Sequence, residues 1–444
     1  YEIMPSLVGS EMCIRDSRGI ITIGEVGVHG HEKLDLTAYE DIFDEVTGLK
    51  LDPALVLDAR RDEVEFLRKF PVYKRVPRSQ AQGKEFVKVR WVDLDKGDST
   101  KPNVRCRLVA KDFRWRNPGL ENTFASTPPL EALRYCCSSL VTVKRRAGRR
   151  VEVVMLVLDV SRAHFHPLIQ RELYVEIPKE DDLADPDEVG LLLRTMYGTR
   201  EASSAFEQFF TEIVENLGFQ VGVSVTCVYW RPSDMLIIWR HGDDISIVGE
   251  EDSSELVFKA LSDKMILKRR AILGYGDGHD KTISLLNRMI TLEVDAGRRR
   301  VIYEPDPRHI EILLHQFGFG GKKAKGVSTP SEKSKEYGDT TALDESLHTN
   351  FRSGTMRLSY VSMDLPHLQQ AANKTARAMA TPFHGALARL KRAVRFLQQH
   401  PRVVQCFEEQ EVCTTLTVKC DSDWAGDVID RKSTSCIQLI LGKH

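Results

Sequence analysis

The sequence contains no apolar run of the about 18 residues that a membrane-spanning helix requires. Its strongest hydrophobic stretch, residues 153–158, has the length of a strand, and no charged-then-apolar segment opens the chain. We therefore expect a protein that is neither secreted nor held in a membrane. The chain starts at Tyr1 rather than Met and stops at His444 just after an apolar run, so we also expect a fragment of a longer protein.

A disulfide framework is also missing, because the nine cysteines are an odd number scattered from Cys13 to Cys436. This usage favours a reducing compartment. No Cys/His set has the spacing of a zinc site. Cys406, Cys413 and Cys420 recur every seven residues, but no histidine accompanies them at a matching interval, so we interpret them as strand and loop thiols.

The chain has almost no net charge, since 63 basic and 64 acidic residues give −1, which by itself argues against a polyanionic partner. The charges are segregated, however. Residues 31–66 carry 11 acidic and 4 basic side chains, residues 71–116 carry 13 basic and 5 acidic ones, and residues 365–407 carry seven basic ones and no acidic one. Such basic runs are usually solvated faces, but runs separated by apolar strands also indicate a groove for phosphates.

Local patterns predict several elements. Leu55, Ala59 and Glu63 form one helical stripe in the acidic segment, for which a linker or edge element is the alternative. Apolar residues on both sides of the turn-rich stretch 96–102 predict a β-hairpin. Residues 328–344 have the composition of a linker.

Two patterns place carboxylates at strand ends. Residues 151–160 predict a buried strand that ends in Asp159, where a charge needs a partner or a metal, although a capping role is the alternative. Residues 235–239 and 245–248 predict a hairpin with Asp243 and Asp244 at its tip, where Gly-Asp-Asp alone is commonly a plain turn.

The combination of these carboxylates indicates a metal site. Two unit charges about 4 Å apart repel by about 1 kcal/mol in water, so three converging carboxylates require divalent cations. Oxygen ligands favour magnesium or manganese over zinc. Two such ions would support nucleotidyl transfer from a triphosphate to a primer 3′-hydroxyl.

The residues around these carboxylates resemble, in order, the reverse transcriptase of copia-type long-terminal-repeat retrotransposons. The resemblance covers roughly residues 50–444 and is carried by the segments 90–92, 105–111, 122–125, 158–165, 173–178, 196–202, 241–244, 351–354, 358–360, 421–426 and 431–435. Each motif alone is weak, and their order makes the resemblance specific.

The resemblance implies an α+β, right-hand polymerase with fingers, palm and thumb, a mixed antiparallel palm sheet, and then a truncated ribonuclease H-like α/β domain. The implied division is an adaptor-derived, non-native segment at 1–17, an acidic lead-in or linker at 18–70, fingers and palm at 71–327, a linker at 328–350, a thumb- or connection-like helical region at 351–412 and the start of the ribonuclease H-like domain at 413–444.

The resemblance also implies roles for individual residues. Asp159, Asp243 and Asp244 would bind two Mg²⁺ ions, or Mn²⁺, with the Val160 carbonyl as a further ligand. The implied nucleotide-binding residues are Arg105, Arg107, Lys111, Ala163, His164, Tyr197 and Gly198, and the implied nucleic-acid-binding residues are Arg389, Arg392 and Arg395. Each assignment has a structural alternative. For Arg105, Arg107 and Lys111 it is a solvated strand face, for Tyr197 a place in the core and for Gly198 the start of a helix. For Arg389, Arg392 and Arg395 it is an exposed amphipathic helix.

Several positions depart from the family pattern. His241-Gly242 replaces Tyr-Val before the paired acids, and His164 replaces the aromatic ring that would exclude a ribose 2′-hydroxyl. Glu201 stands where the family has Gln, which implies a carboxylate in place of a neutral amide beside the nucleotide. Only Asp421 represents the acidic residues of the nuclease, so we expect no ribonuclease H activity.

The resulting hypothesis is an RNA-directed DNA polymerase that uses an RNA template, a DNA or RNA primer and deoxynucleoside triphosphates, alongside other parts of a Pol polyprotein. We expect it in a cytoplasmic virus-like particle or in the nucleus. The alternatives are a decayed copy that only binds nucleic acid, for which the substitutions at His164, Glu201 and His241 argue, and a metal-dependent host nuclease.

Overall fold

The computed structural model describes residues 37–97, 100–115, 119–121, 123–321, 325–332, 338–427 and 431–444. The segment 1–17, interpreted above as non-native, lies outside the described residues, as do residues 18–36 of the lead-in and residue 122 of one motif.

Eight α-helices form within the described residues. They are α1 (Pro53–Lys69), α2 (Leu130–Leu140), α3 (Ala202–Asn216), α4 (Glu251–Ser262), α5 (Arg308–Gln316), α6 (Glu345–Ser362), α7 (Gln369–Ala376) and α8 (His384–Gln399). None of these helices has the length and hydrophobicity needed to cross a membrane.

The strands of the described residues are mostly short. They are β1 (Tyr73–Pro77), β2 (Phe86–Val87), β3 (Val89–Asp95), β4 (Val104–Ala110), β5 (Thr142–Val143), β6 (Arg145–Arg146), β7 (Arg149–Arg150), β8 (Val153–Val160), β9 (Tyr174–Val175), β10 (Glu188–Leu192), β11 (Gln220–Val221), β12 (Val228–Arg231), β13 (Leu236–His241), β14 (Asp244–Glu250), β15 (Leu267–Leu273), β16 (Thr282–Leu285), β17 (Arg288–Asp295), β18 (Arg298–Pro305), β19 (Gln405–Glu408), β20 (Gln410–Glu411), β21 (Leu416–Asp423) and β22 (Thr434–Leu441). Helices and sheets alternate along the chain, so the expected mixed α/β content is confirmed.

A six-stranded sheet in the order β11-β12-β13-β14-β8-β15 forms the centre of the fold. Its β8 is buried on both faces, as the unbroken apolar sequence predicts. Met155 and Val157 face a core shared with α2 and β16–β18, whereas Leu156 and Leu158 face a core shared with α3 and α4. Every pairing in this sheet is antiparallel.

The predicted basic hairpin forms from β3 and β4, which pair antiparallel. Helix α1 packs beside it. The Asp52 carboxylate caps α1 by accepting hydrogen bonds from two backbone amides of the first turn. The buried Arg60 of α1 then donates to both carboxylate oxygens of Asp93 in β3, at 3.2 and 2.7 Å, and to Glu180 at 2.9 Å. Helix α1, in the described part of the acidic lead-in, is therefore packed against the hairpin.

The second half of the chain has a separate helical core formed by α5, α6, α7 and α8. Helix α6 begins at Glu345, within the segment predicted as a linker. The strands β16-β17-β18-β19 form a second sheet, and β21 pairs with β22 in a hairpin whose β21 is exposed throughout.

Candidate active site

Two of the predicted carboxylates lie side by side on the central sheet. Asp159 near the end of β8 and Asp244 at the start of β14 are directly opposite each other in the antiparallel pairing. The backbone amide of Val160 donates a 3.0 Å hydrogen bond to the carbonyl oxygen of Asp243, which places the third acid in the adjoining turn. The sheet register therefore brings Asp159, Asp243 and Asp244 to one end of the central sheet.

A cation from the neighbouring strand offsets part of this negative charge. Nη1 of Arg270 lies 2.8 Å from Oδ1 of Asp244. The pairing of β15 with β8 shifts register between Arg269 and Ala271, so Arg270 is the additional residue of a bulge. Because a bulge redirects a side chain, this irregularity positions Arg270 for the carboxylate. On the same strand as Arg270, Lys268 is directly opposite Asp159 of β8.

The residues at this end of the central sheet fit a divalent cation by their chemistry. In the described chain, no three His, Cys, Asp or Glu side chains lie together in a group that could already hold a metal ion. The donors are nevertheless all oxygens, and like charges placed directly opposite each other are unfavourable without a countercharge. Arg270 supplies one such charge to Asp244. The paired carboxylates are thus the part of the site best suited to a cation.

Arg240 lies beneath the hairpin that carries the paired acids, and sequence reasoning missed it. Its side chain is only 1% exposed, and its Nη1 donates to the carbonyl oxygen of Gly242 at 3.3 Å. The guanidinium lies 5.8 and 5.9 Å from the rings of Phe206 and Phe210, and its Nη2 is 3.3 Å from Glu207. Burying an arginine costs folding free energy, and this one contacts the turn that carries Asp243.

The two residues that replace the family's Tyr-Val have distinct surroundings. Gly242 has φ +63°, a left-handed conformation that glycine adopts without strain, and the space around its missing Cβ is open. The ring of His241 stacks on Trp239, with centroids 6.0 Å apart. Burial lowers the pKa of His241 below its usual value, so we expect this ring to be neutral at pH 7.

Most of the predicted nucleotide-binding residues meet around Tyr197. Its ring centroid is 5.1 Å from that of His164 and 5.2 Å from the guanidinium carbon of Arg107. Burial raises the pKa of Tyr197 to about 12. Burial lowers the pKa of His164 to about 4, and Arg107 adds to that effect. Ala163 is buried in the short 3₁₀ turn that also holds His164.

Gly198 is needed because the turn approaches β4 closely. Its φ is +83°, and an added Cβ would lie 2.2 Å from the carbonyl oxygen of Ala110. The amide of Ala110 also donates to the carbonyl oxygen of Tyr197 at 2.7 Å. The structure therefore joins the basic hairpin directly to the Tyr197 region.

The three predicted basic finger residues differ in position. Arg107 is half-buried against Tyr197. Arg105 is exposed on the same face of β4, because side chains two residues apart share a face of a strand. Lys111 follows the strand, and its amide donates to the carbonyl oxygen of Lys88. Of the three, Arg107 is the residue whose guanidinium lies against Tyr197.

Glu201, the departure that implied an added negative charge, is ion-paired. Arg171 donates to its two carboxylate oxygens at 2.7 and 3.0 Å. The same guanidinium also contacts Glu85 and the buried Asp112. Because Arg171 offsets part of its charge, Glu201 is held as a structural carboxylate at the start of α3.

The more distant candidates lie away from this cluster. Arg392 and Arg395 of α8 contact the segment 325–332, since Arg392 pairs with Glu332 and Arg395 donates to the carbonyl oxygen of Lys325 at 2.9 Å. Arg389 is half-buried on the same helix. Asp421 is exposed on β21, directly opposite Cys436.

Comparisons with known proteins agree with the resemblance read from the motifs. Residues 72–272 match the family described as reverse transcriptase (RNA-dependent DNA polymerase). Over 361 residues, 80% of this chain, the sequence is 25% identical to the retrovirus-related Pol polyprotein from transposon RE1 of Arabidopsis thaliana. The chain spans 23% of the length of that relative. The predicted resemblance to a reverse transcriptase is thereby confirmed.

Proposed function

We propose, on the premise that residues 72–272 match the reverse transcriptase family, that this protein is the RNA-directed DNA polymerase of a copia-type retrotransposon. The observation that carries the proposal is the direct pairing of Asp159 with Asp244, beside Asp243, on an antiparallel sheet inside the matched region. This arrangement presents acidic oxygen donors at one end of the central sheet next to a cluster of cationic and aromatic side chains.

We propose that the parts of the fold correspond to the subdomains of a right-hand polymerase. The elements from β1 to β4, with β9 and β10, would form the fingers, and the six-stranded sheet with α2, α3 and α4 would form the palm. Helices α6–α8 would form the thumb or connection, and α5, which lies in the segment predicted as fingers and palm, packs in the same core. Strands β21 and β22 would begin a ribonuclease H-like domain in which Asp421 is the first acidic residue. A cytoplasmic particle or the nucleus stays our prediction for where the protein acts.

In the proposed mechanism, Asp159, Asp243 and Asp244, with the Val160 carbonyl, hold two magnesium or manganese ions. When bound, these ions would supply the positive charge that activates the primer 3′-hydroxyl and stabilises the leaving pyrophosphate. Asp244 would exchange its contact with Arg270 for this charge.

The cationic and aromatic residues would position the substrates. Arg107, with Arg105 and Lys111, would contact the incoming triphosphate as charged hydrogen-bond donors. The ring of His164 would limit space at the sugar together with Ala163, and Tyr197 and Gly198 would lie near the templating base. Arg389, Arg392 and Arg395 would contact the phosphates of the template and primer, provided that the segment 325–332 moves away from them.

Primer extension on an RNA template with deoxynucleoside triphosphates and Mg²⁺ tests this function. We expect extension by the wild-type chain and a loss of at least about 100-fold in Asp243→Ala, since a metal-binding carboxylate is removed. Asp58→Asn, at an exposed position on α1, is the control and retains activity. Extension that survives Asp243→Ala would contradict the mechanism, and salt-sensitive hybrid binding without extension would favour a decayed copy.

A further inference from the structure

Arg162 lies three residues after Asp159, and the structure holds it in an unusual conformation. Its φ of +52° and ψ of +50° are left-handed, which costs a residue other than glycine about 1–2 kcal/mol. Such a conformation persists where its surroundings impose it, and it is common at functional sites.

Helix α1 supplies the contacts that hold Arg162. Nε of Arg162 donates to Oε2 of Glu63 at 2.8 Å, and the guanidinium carbon lies 3.9 Å from the ring centroid of Phe66. Glu63 and Phe66 are one turn apart on the helix, so they contact the same guanidinium from one face. Their sequence separation from Arg162 explains why no local pattern indicates the contact.

The Glu63 carboxylate is buried, and burying a carboxylate only to pack two elements together would cost stability. It is 3% exposed, and its Oε1 has no hydrogen-bond partner. Burial raises the pKa of Glu63, whereas Arg162 and then Arg107 act to lower it. The carboxylate therefore contacts Arg162 and lies within the electrostatic range of Arg107, a predicted triphosphate ligand.

The Arg162 guanidinium keeps hydrogen-bonding capacity for a ligand. Within the described residues, its hydrogen bond uses Nε, and its side chain is 34% exposed. Its two Nη groups therefore remain for an anion such as phosphate, which guanidinium groups bind strongly. Tyr197 contacts Arg107 and lies within the electrostatic range of Arg162 and Asp243.

We infer that Arg162 is a further residue that binds the triphosphate of the incoming nucleotide, and that Glu63 is its positioning residue. Helix α1 then belongs to the nucleotide site, although it precedes the polymerase motifs in the sequence. The inference rests on the proposed function. A purely structural role, in which the pair only attaches α1 to the central sheet, is the alternative.

The test compares Arg162→Gln, Arg162→Lys, Glu63→Gln and the double variant Glu63→Gln/Arg162→Gln. Glu65→Gln is the matched control, because Glu65 is an exposed residue of the same helix and its ion pair is with Lys69 of that helix. We expect KM for deoxynucleoside triphosphate to rise about tenfold in Arg162→Gln and about threefold in Glu63→Gln, with kcat within twofold. The double variant should be no worse than Arg162→Gln, since the two residues act as one unit.

Arg162→Lys keeps the charge but loses the planar fork, so it should recover part of the affinity. Hybrid affinity, measured by fluorescence anisotropy, should be unchanged in all variants. An unchanged KM in both Arg162→Gln and Arg162→Lys, with only a lower Tm, would overturn the inference and leave a structural pair.

Calorimetric titration with thymidine triphosphate and Ca²⁺ separates this inference from the proposed polymerase activity. Wild-type protein should bind the nucleotide saturably, and Arg162→Gln should weaken binding about tenfold while Glu65→Gln does not. If the wild-type chain extends no primer but shows this pattern, the polymerase proposal fails and the Arg162 site stands. Equal binding by wild type and Arg162→Gln would overturn the site.

Discussion

The backbone amide of Val160 donates a 3.0 Å hydrogen bond to the carbonyl oxygen of Asp243. This bond joins the end of β8 to the tip of the β13–β14 hairpin and fixes the register in which Asp159 and Asp244 are opposite each other. Directly opposed like charges destabilise a sheet, and the contact of Arg270 with Asp244 offsets part of that repulsion.

We predict that Arg270→Gln lowers the stability of the metal-free protein by about 0.5–1 kcal/mol, because the opposed carboxylates lose a countercharge. Added Mg²⁺ should remove the difference and should act at a lower concentration than in wild type, since Arg270 no longer competes for Asp244. Thermal denaturation with EDTA and with increasing Mg²⁺ measures both effects. Arg269→Gln, the neighbouring residue that pairs with Glu255, is the control. A stability difference that Mg²⁺ does not change would refute this account.

The buried Arg240 should matter more for activity than for stability. Arg240→Met removes the hydrogen bond to the Gly242 carbonyl oxygen, so the turn that carries Asp243 becomes less ordered. We expect kcat of primer extension to fall about tenfold, with KM for nucleotide within twofold. Stability should change by only about 1 kcal/mol, because the methionine removes a costly buried charge and Glu207, which loses this cation, still accepts hydrogen bonds from Ser126 and Thr226.

Arg231→Met is the matched control for Arg240→Met, since Arg231 lies on the neighbouring strand β12 and pairs with Asp234 away from the turn. Stopped-flow extension and urea unfolding give the two readouts. A large loss of stability with unchanged kcat would show that Arg240 is only a packing residue.

Local sequence patterns predicted the elements that carry the acids. The continuous apolar run of β8, the β13–β14 hairpin and the β3–β4 hairpin each depend on residues close in sequence, so periodicity and turn composition were sufficient. The partners of charged side chains could not be predicted in this way. Glu63 was recognised as one position of a helical stripe, yet its partner Arg162 is 99 positions away.

The cluster around Glu201 shows the same limitation. The family pattern implied a carboxylate in place of a neutral amide at this position. No local pattern indicated its partner Arg171, which lies 30 residues earlier. Its other partners, Glu85 and Asp112, belong to different elements. Only the tertiary structure brings these charges together, so charge counting along the chain could not find them.

We predict that Arg171→Met destabilises the protein by about 3–5 kcal/mol, because it leaves Glu85, Asp112 and Glu201 without their shared cation. Asp112 is the most affected, since its carboxylate is fully buried and Oδ1 already has no hydrogen-bond partner. Urea unfolding measures the change. Arg145→Met, which breaks an exposed pair with Glu411, should lower stability far less, because solvent screens that pair. Equal costs for the two variants would contradict the clustered-charge explanation.

The His164 ring should make the free energy of unfolding depend on pH, and His164→Gln should remove this contribution. Burial lowers the pKa of His164 from its usual 6.5 to about 4, so the folded state disfavours the protonated ring. The stabilisation is fully present above pH 6.5 and is lost as the pH falls toward 4, by up to about 3 kcal/mol. Because His164→Gln cannot protonate, its free energy of unfolding should fall less than that of wild type over this range.

Urea unfolding of wild type, His164→Gln and His400→Gln at several pH values between about 4 and 7.5 tests this linkage. His400 is an exposed histidine at the end of α8, so its substitution should leave the wild-type pH dependence in place. Carboxylates and the other histidines are the same in wild type and His164→Gln, so the difference between these two curves is specific to His164. Parallel curves for wild type and His164→Gln would mean that the ring is accessible to water and that Tyr197 and Arg107 do not enclose it.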